Sequence, residues 1–274
     1  MTLEDALKEW EEAGRHGTRE ERIARGKKWL PYYAFLAERQ RGVPYTLPET
    51  PNEFVTELFR REVVKPGDTV LDIGAGLGSY ALEFASLGCR VTAMDASREC
   101  LDVLETRAKQ NSLAIETIQS TWEEWEPNQK YDITFSSMCP AICNLEELER
   151  MEAITKKSCV LVTVTRGSYD KHRKAMMAAL NIRPHGGMTT EALHYMNALY
   201  LSGKQFHMTS RTTTSSHKVS AAAIMEQYPI YFRIFGISQV DSIVFLEKYL
   251  EENAKDGYLE DESRMNLAML DWNV

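Results

Sequence analysis

The sequence lacks long apolar runs and a secretion signal. No stretch approaches the ~18 consecutive apolar residues that a membrane-spanning helix needs, and residues 1–14 are charged and amphipathic. Cysteine is also scarce, with five residues among 274. A small and odd number of cysteines does not form the disulfide framework of a secreted protein. We therefore expect a cytoplasmic protein that has no membrane partner.

Positive charge is in the minority. The 32 Lys and Arg residues are outnumbered by 40 Asp and Glu residues, which gives a net charge of −8 and a pI near 5.4. Proteins that grip a nucleic-acid backbone draw their affinity from clustered Lys and Arg side chains, so we do not expect nucleic acid as a partner. The hydrophobic share of 43% is enough for one sizeable core, or for one core with a cap.

The most informative segment is VLDIGAGLGSYALEFASLGCRVTAMDAS, from Val70 to Ser97. A short apolar run up to Ile73 predicts a buried parallel strand, and the three glycines after it predict a tight turn. A helix is then predicted from residue 79 to 87, and a second strand from 91 to 94 ends at Asp95. Because open α/β sheets bind ligands at the carboxyl ends of their strands, this order of elements predicts a nucleotide-binding site.

The glycine spacing distinguishes between two kinds of nucleotide. A dinucleotide site uses G-x-G-x-x-G, in which the helix N-terminus receives a pyrophosphate. Here the spacing is G-x-G-x-G, and Asp72 precedes it. A carboxylate beside the turn repels a pyrophosphate but suits a ligand that carries an ammonium group, and Asp95 is placed to accept hydrogen bonds from ribose hydroxyls. The residues therefore favour S-adenosylmethionine (SAM) over NAD.

Two motifs carry a family resemblance. DIGAGLGSY resembles the first motif of the class I SAM-dependent methyltransferases, VTAMDAS resembles their second-strand motif, and the similarity continues to Thr165. The resemblance implies an α/β, Rossmann-like fold with a mostly parallel seven-stranded sheet, helices on both faces and a last strand, Met265–Trp272, that closes the sheet antiparallel. The cofactor-binding residues that it implies are Asp72, Gly74, Ala75, Gly76, Asp95, Ala96, Ser120, Thr121, Trp122 and Ser136.

The loop after the third predicted strand carries Ser120 and Trp122, with Trp125 three residues further on. In the family this turn lies beside the adenine, so Trp122 is a candidate to stack on the purine, and Ser120 is a candidate to accept from its exocyclic amine. In the alternative interpretation both tryptophans pack against the sheet. We expect a structural role for Trp125 in either case.

The chain is predicted to contain a helical N-terminal extension or cap, residues 1–49, and a SAM-binding methyltransferase domain, residues 50–274. Helical periodicity covers Leu3–Ala13 and Glu20–Arg39, and three prolines between residues 44 and 51 break the chain before the domain. The elements predicted after Asp95 are, in order, a helix Ser97–Asn111, strands Ala114–Ile118 and Tyr131–Phe135, a helix Leu145–Thr155, strands Cys159–Val164 and Gln205–Thr214, and two further helices.

Methyl transfer needs no recognisable base, because the sulfonium supplies a good leaving group and the protein mainly aligns the acceptor. The segment after the fourth strand, SSMCPAIC, lacks the N/D-P-P-Y sequence of enzymes that methylate the amino groups of adenine or glutamine. Its Cys139 and Cys143 have three interpretations: thiols that pack beside the pocket, nucleophiles, or ligands of a soft ion. We favour packing and expect no metal site.

No motif identifies a catalytic residue. The candidates are His185, His194, Tyr33 and Cys139, and Arg166 and Tyr169 are candidates for contacts with the acceptor. The aromatic run from Trp29 to Phe35 either packs between helices or lines the acceptor pocket through Tyr32 or Tyr33.

We therefore expect a SAM-dependent methyltransferase with a small-molecule acceptor, and a homodimer is a further expectation. Two alternatives stay open. The first is an RNA methyltransferase, against which the acidic composition argues. The second is a SAM-binding protein without transferase activity.

Overall fold

The computed structural model describes residues 2–13, 17–182 and 191–274. The helices are α1 (Leu3–Ala13), α2 (Arg19–Lys27), α3 (Leu30–Glu38), α4 (Glu53–Arg60), α5 (Ser79–Ser86), α6 (Arg98–Gln110), α7 (Leu145–Ala153), α8 (Lys171–Ala179), α9 (Ala192–Leu201), α10 (Ala221–Arg233) and α11 (Gln239–Asn253). The strands are β1 (Thr69–Ile73), β2 (Arg90–Asp95), β3 (Ile115–Gln119), β4 (Tyr131–Ser137), β5 (Thr155–Val164), β6 (Tyr169–Asp170), β7 (Phe206–Ser220) and β8 (Tyr258–Asn273). No helix in the described ranges is long and apolar enough to cross a membrane.

All the strands belong to one mostly parallel sheet, as predicted. Strands β3, β2, β1, β4 and β5 lie side by side in that order and are parallel, whereas β8 is antiparallel to both β5 and β7. The predicted count of seven strands is wrong by one, because the two-residue strand β6 pairs with Ser263 and Arg264 of β8. Strand β8 is 16 residues long and pairs with β5 only over residues 267–273, so its first part has an edge that accepts β6.

The single helix predicted from Glu20 to Arg39 is two helices, α2 and α3. Pro31 lies in the first turn of α3. Proline has no backbone N–H, so it cannot continue the hydrogen-bond ladder of a preceding helix, but it is well tolerated at a helix start. The chain therefore ends α2 at Lys27 and begins α3 at Leu30.

Both faces of the central parallel strands β1 and β4 are buried, as expected for parallel strands covered by helices. Alternate residues of β1 point to opposite faces. Leu71 and Ile73 pack with Trp122 in one apolar cluster, and Val70 packs with Phe84 in another. The carboxyl end of β1 is thus held firmly between two helical layers, and the turn that follows it has a rigid base.

A third apolar cluster joins α8, α10 and α11 to the part of β8 that extends past the end of β5. Helix α3 packs against this cluster. The ring of Trp29 lies 6.0 Å from that of Tyr231, centroid to centroid, and the hydroxyl of Tyr32 accepts a hydrogen bond from Gln227 Nε2 at 2.8 Å. On its other side α3 packs against α6. Helix α3 is therefore tied to the rest of the fold from both sides.

Candidate functional site

A cavity of about 330 Å³ lies at the carboxyl ends of β1, β2, β3 and β4. Its walls come from the glycine turn after β1, residues 95–96 after β2, residues 120–123 after β3, and residues between 137 and 143 after β4. Residues of α2 and α3 complete the wall on the remaining side. This is the edge at which parallel α/β sheets bind their ligands.

The three glycines of the turn have positive φ angles of 75°, 54° and 85°, and each has a different reason to lack a side chain. A Cβ at Gly74 would lie 2.6 Å from Cys139 Sγ, and a Cβ at Gly78 would lie 2.6 Å from Leu104 Cγ on α6. A Cβ at Gly76 would meet no protein atom within 4 Å. Since Gly76 lines the cavity, its bare backbone leaves room for a ligand rather than for the protein.

Asp95 fixes the glycine turn to the end of β2. One carboxylate oxygen accepts the N–H of Gly76 at 2.8 Å, and the other accepts the N–H of Ser97 at 2.8 Å. Burial raises the pKa of Asp95, although these backbone N–H groups oppose the rise. Each carboxylate oxygen can accept further hydrogen bonds, and Asp95 lines the cavity together with Ala96.

Asp72 lies in β1 behind the turn and is 2% exposed. It is not among the residues that line the cavity. Burial, followed by the negative charge of Asp95, raises the pKa of Asp72 from the ordinary value of 3.8 to about 7, and an N–H from Ala81 opposes the rise. The carboxyl of Asp72 thus lies behind the turn and accepts a hydrogen bond from the first turn of α5.

We expect Asp72→Asn to stabilise the protein at pH 8 and to change its stability little at pH 5. The pKa of Asp72 is higher in the folded chain than in the unfolded chain. At a pH between these two pKa values, folding therefore takes up a proton. The contribution of Asp72 to the free energy of unfolding consequently falls as the pH rises from the lower pKa to the higher one. Thermal unfolding followed by circular dichroism at the two pH values measures the effect.

Asp132→Asn is the matched control for Asp72→Asn. The N–H of Thr69 lowers the pKa of Asp132 by donating to its carboxylate, so the charged form of Asp132 is the stabilising one above its ordinary pKa. This variant should lose stability at both pH 5 and pH 8. Equal responses of the two variants at pH 8 would contradict the raised pKa of Asp72.

The loop after β3 brings Ser120, Thr121 and Trp122 to the cavity wall. The indole of Trp122 is 2% exposed, its Nε1 donates to Glu147 Oε2 at 2.6 Å, and the guanidinium of Arg150 lies 4.3 Å from the centre of its ring. Its ring also packs 5.9 Å from that of Trp125. Most of the Trp122 ring therefore lies in the core, and stacking on a purine stays a prediction for the part that borders the cavity.

Two other predicted cofactor residues lie away from the cavity lining. Ala75 packs in the apolar cluster beneath the turn. Ser136, which is 2% exposed, donates its hydroxyl to the carbonyl oxygen of Ile73 at 3.1 Å. Both residues support the ends of β1 and β4 from within.

The catalytic candidates are divided between the cavity and other places. Tyr33 and Cys139 line the cavity. His194 stacks on Trp10, with ring centroids 6.2 Å apart, and burial lowers its pKa; it is not among the lining residues. His185 lies outside the described residues.

The two candidate acceptor contacts after β5 are also away from the cavity. Arg166 and Tyr169 are absent from the residues that line it, and Tyr169 pairs with Arg264 in the sheet. Of the three catalytic candidates within the described residues, Tyr33 and Cys139 line this cavity and His194 does not.

The sequence analysis missed the contribution of α2. Arg22, Arg25 and Gly26 line the cavity together with Trp29 and Tyr33. Three- and four-residue spacings place side chains on one face of a helix, and this spacing is the signal that could have identified the set. Among residues 2–13, 17–182 and 191–274, no three His, Cys, Asp or Glu side chains form a group that could hold a metal ion.

The sequence around the cavity matches known proteins. Residues 70–161 match the family model described as a methyltransferase domain. A ubiquinone biosynthesis O-methyltransferase of Rickettsia akari (strain Hartford) is 37% identical over 81 residues, which are 30% of this chain and 32% of the relative. An uncharacterized protein of Haemophilus influenzae is 26% identical over 191 residues, which are 69% of this chain and 67% of that protein. The chain thus spans about a third of the length of the first of these relatives.

The fold also matches a solved structure. Magnesium protoporphyrin IX methyltransferase from Synechocystis PCC 6803, crystallised with bound S-adenosylhomocysteine (SAH), aligns with a TM-score of 0.51 and 11% identity, over 89% of this chain and 99% of that chain. At this identity the similarity concerns the fold alone. Residues 70–161 therefore match the methyltransferase domain family, and the fold of the chain is similar to that of a methyltransferase solved with bound SAH.

Proposed function

We propose that the protein is a SAM-dependent methyltransferase that acts on a small molecule. The observation that carries the proposal is the turn at Gly76, which lines the cavity and where a Cβ would meet no protein atom within 4 Å, beside the carboxylate of Asp95. The match of residues 70–161 to the methyltransferase domain family supports it. The name of one sequence relative, a ubiquinone biosynthesis O-methyltransferase, supports a small-molecule acceptor.

The residues present suit each part of SAM. The backbone of Gly74 and Gly76 would receive the amino-acid end, since no side chain obstructs it. Asp95 would accept from the ribose hydroxyls, and the loop from Ser120 to Trp122 would border the adenine. A cation would be favoured in this region, because Asp72 and Asp95 both lie at the turn and the amino-acid ammonium and the sulfonium are positive.

The protein's part in catalysis is alignment and exclusion of water. When bound, SAM supplies an electrophilic methyl group, which an acceptor lone pair takes as the carbon–sulfur bond breaks and SAH is left. The aromatic wall of Trp29 and Tyr33 and the segment around Cys139 would hold the acceptor in line with that bond. If the acceptor carries a proton, Tyr33 is placed on the wall to accept a hydrogen bond from it or to relay its proton to solvent.

We also propose that the protein is a cytoplasmic homodimer. We propose no nucleic-acid partner, because the net charge of the chain is −8. Burial raises the pKa of Cys89, of Cys100 and of Cys159. Such thiols are unreactive, which is compatible with a reducing compartment.

Calorimetry and an acceptor screen test the proposal. The purified chain should bind SAH and SAM and should not bind NADH, and screening of small-molecule pools should reveal release of SAH with at least one acceptor. Binding without turnover on any pool would favour the SAM-binding protein without transferase activity. Tighter binding of NADH than of SAM would overturn the proposal.

We expect Cys139→Ser to keep most of its turnover. Cys139 lies against the glycine turn, where a Cβ on Gly74 would be 2.8 Å from the Cβ of Cys139, and serine differs from cysteine mainly in the smaller oxygen atom. The thiol therefore serves as part of the wall in our proposal. Steady-state rates at saturating SAM measure the effect, and complete loss of turnover with normal SAH binding would favour a covalent role for the thiol.

A further inference from the structure

Glu147 is a buried carboxylate that joins three parts of the molecule. It lies in the first turn of α7, which Asn144 caps, and its side chain is 5% exposed. Its Oε2 accepts the indole N–H of Trp122 at 2.6 Å, and its Oε1 accepts from the guanidinium of Arg22 at 2.7 Å. Arg150 NH1 lies 3.7 Å from the same carboxylate. The Glu147 carboxylate thus links α7 to the loop after β3 and to the N-terminal helix α2.

The Arg22–Glu147 pair is more buried than the ion pair between Lys27 of α2 and Glu124 of the loop after β3. Lys27 pairs with Glu124 at 3.0 Å, but their side chains are 52% and 44% exposed, and exposed pairs of this kind contribute little. The side chain of Arg22 is 10% exposed. Its Nε is buried, and no acceptor among the described residues lies within hydrogen-bond distance of that atom. The guanidinium of Arg22 therefore depends strongly on Glu147 for compensation of its charge.

We propose that Glu147 is a positioning residue for the cofactor: through Arg22 it holds α2 closed over the cavity, and through Trp122 it fixes the opposite wall. The inference rests on the proposed function, since it assigns the cavity to SAM. Arg22 and Trp122 both line that cavity. When the carboxylate is lost, a buried guanidinium is left without its counter-charge, and outward movement of α2 returns it to water. The cavity then loses one wall.

The test compares Glu147→Gln with Glu146→Gln and Glu149→Gln. Glutamine keeps the volume and an acceptor for the indole but removes the charge that Arg22 needs. Glu146 and Glu149 are exposed on the same helix, so these variants remove the same charge without touching α2. For Glu147→Gln we expect the amides of α2 to exchange hydrogen about tenfold faster or more, and the Kd for SAH to rise about tenfold or more. The two control variants should match the wild type in both measurements.

A split between KM and kcat separates positioning from general damage. Glu147→Gln should raise the KM for SAM while kcat at saturating SAM stays near that of the wild type, because bound cofactor restores the closed cavity. Arg22→Met removes the same ion pair from the α2 side and leaves every residue of α7 unchanged. Methionine at position 22 leaves no buried cation on α2. The amides of α2 should therefore exchange hydrogen more slowly in the double variant Arg22→Met with Glu147→Gln than in Glu147→Gln alone.

The outcomes separate this inference from the proposed function. If the wild type binds SAH and Glu147→Gln binds it equally well, the inference is overturned and the function stands. Faster exchange in α2 with unchanged SAH affinity would also overturn it, because closure would then have no effect on the cofactor. If the wild type binds no SAH or SAM, the proposed function fails, and the cofactor role of Glu147 fails with it.

Discussion

Gly76→Val is expected to abolish binding of SAM and SAH while the protein stays folded. Gly76 lines the cavity, and a Cβ there would meet no protein atom within 4 Å, so we expect the added side chain to occupy the space that we assign to the amino-acid end of the cofactor. The φ of 54° at this residue adds strain of about 1–2 kcal/mol for a residue with a Cβ. Calorimetry should show a loss of affinity of about 100-fold or more, since several ligand contacts are lost together.

Gly203→Val is the matched control for the strain. Gly203 also has a positive φ, 75°, and a Cβ there would also meet no atom within 4 Å, but it lies in the turn between α9 and β7 and does not line the cavity. Both variants should lower the unfolding temperature by a few degrees, roughly 2–8 °C, and only Gly76→Val should lose SAH. Unchanged affinity in Gly76→Val would remove the glycine turn from the cofactor site.

Asp95→Ala is expected to weaken SAM and SAH about tenfold or more, since a hydrogen bond to a charged group contributes about 1.5–3 kcal/mol. The carboxylate has two functions in our proposal. It would accept from the ribose, and it holds the N–H of Gly76, so its removal also loosens the turn. Titration calorimetry at pH 7 measures the loss, and SAH alone suffices as the ligand.

Asp102→Ala controls for the loss of a negative charge. Asp102 lies on α6, half-exposed, in a pair with Arg98, and its removal should leave SAH affinity unchanged. Equal losses in the two variants would show that Asp95 acts only through the overall field of the protein. In that case the ribose contact would have to be assigned to another residue.

The part of the site that lies close together in the chain was predictable from sequence. Gly74, Gly76 and Asp95 belong to one strand–turn–helix–strand unit, in which local periodicity and glycine spacing dictate the geometry. The five parallel strands were predictable for the same reason, because each contains a short apolar run or, in β3, interspersed apolar and polar residues, bounded by turn residues. Periodicity and glycine spacing do not show which of these residues line the cavity. Ala75 and Ser136 belong to the same elements, yet they pack inward.

The contacts made by α2 were not predictable, because they join distant parts of the chain. Arg22 and Glu147 are 125 residues apart in sequence, and neither residue has a neighbourhood that identifies its partner. The short strand β6 was missed because two residues show no periodicity. Strand β7 extends beyond the predicted end at Thr214 to Ser220. Its later residues are mostly exposed Ser, His and Lys. They show no alternating apolar pattern, and they are extended because they pair with β8.

The central position of β8 has a consequence for the synthesis of the protein. This strand is the last of the described elements, yet it lies between β5 and β7. Until residues 258–273 leave the ribosome, the edge of β5 that faces β8 has no partner, and the residues along it include the apolar Val160 and Leu161. Exposed apolar strand edges favour association between chains. Insertion of β8 therefore removes an edge through which incomplete copies of this chain would associate.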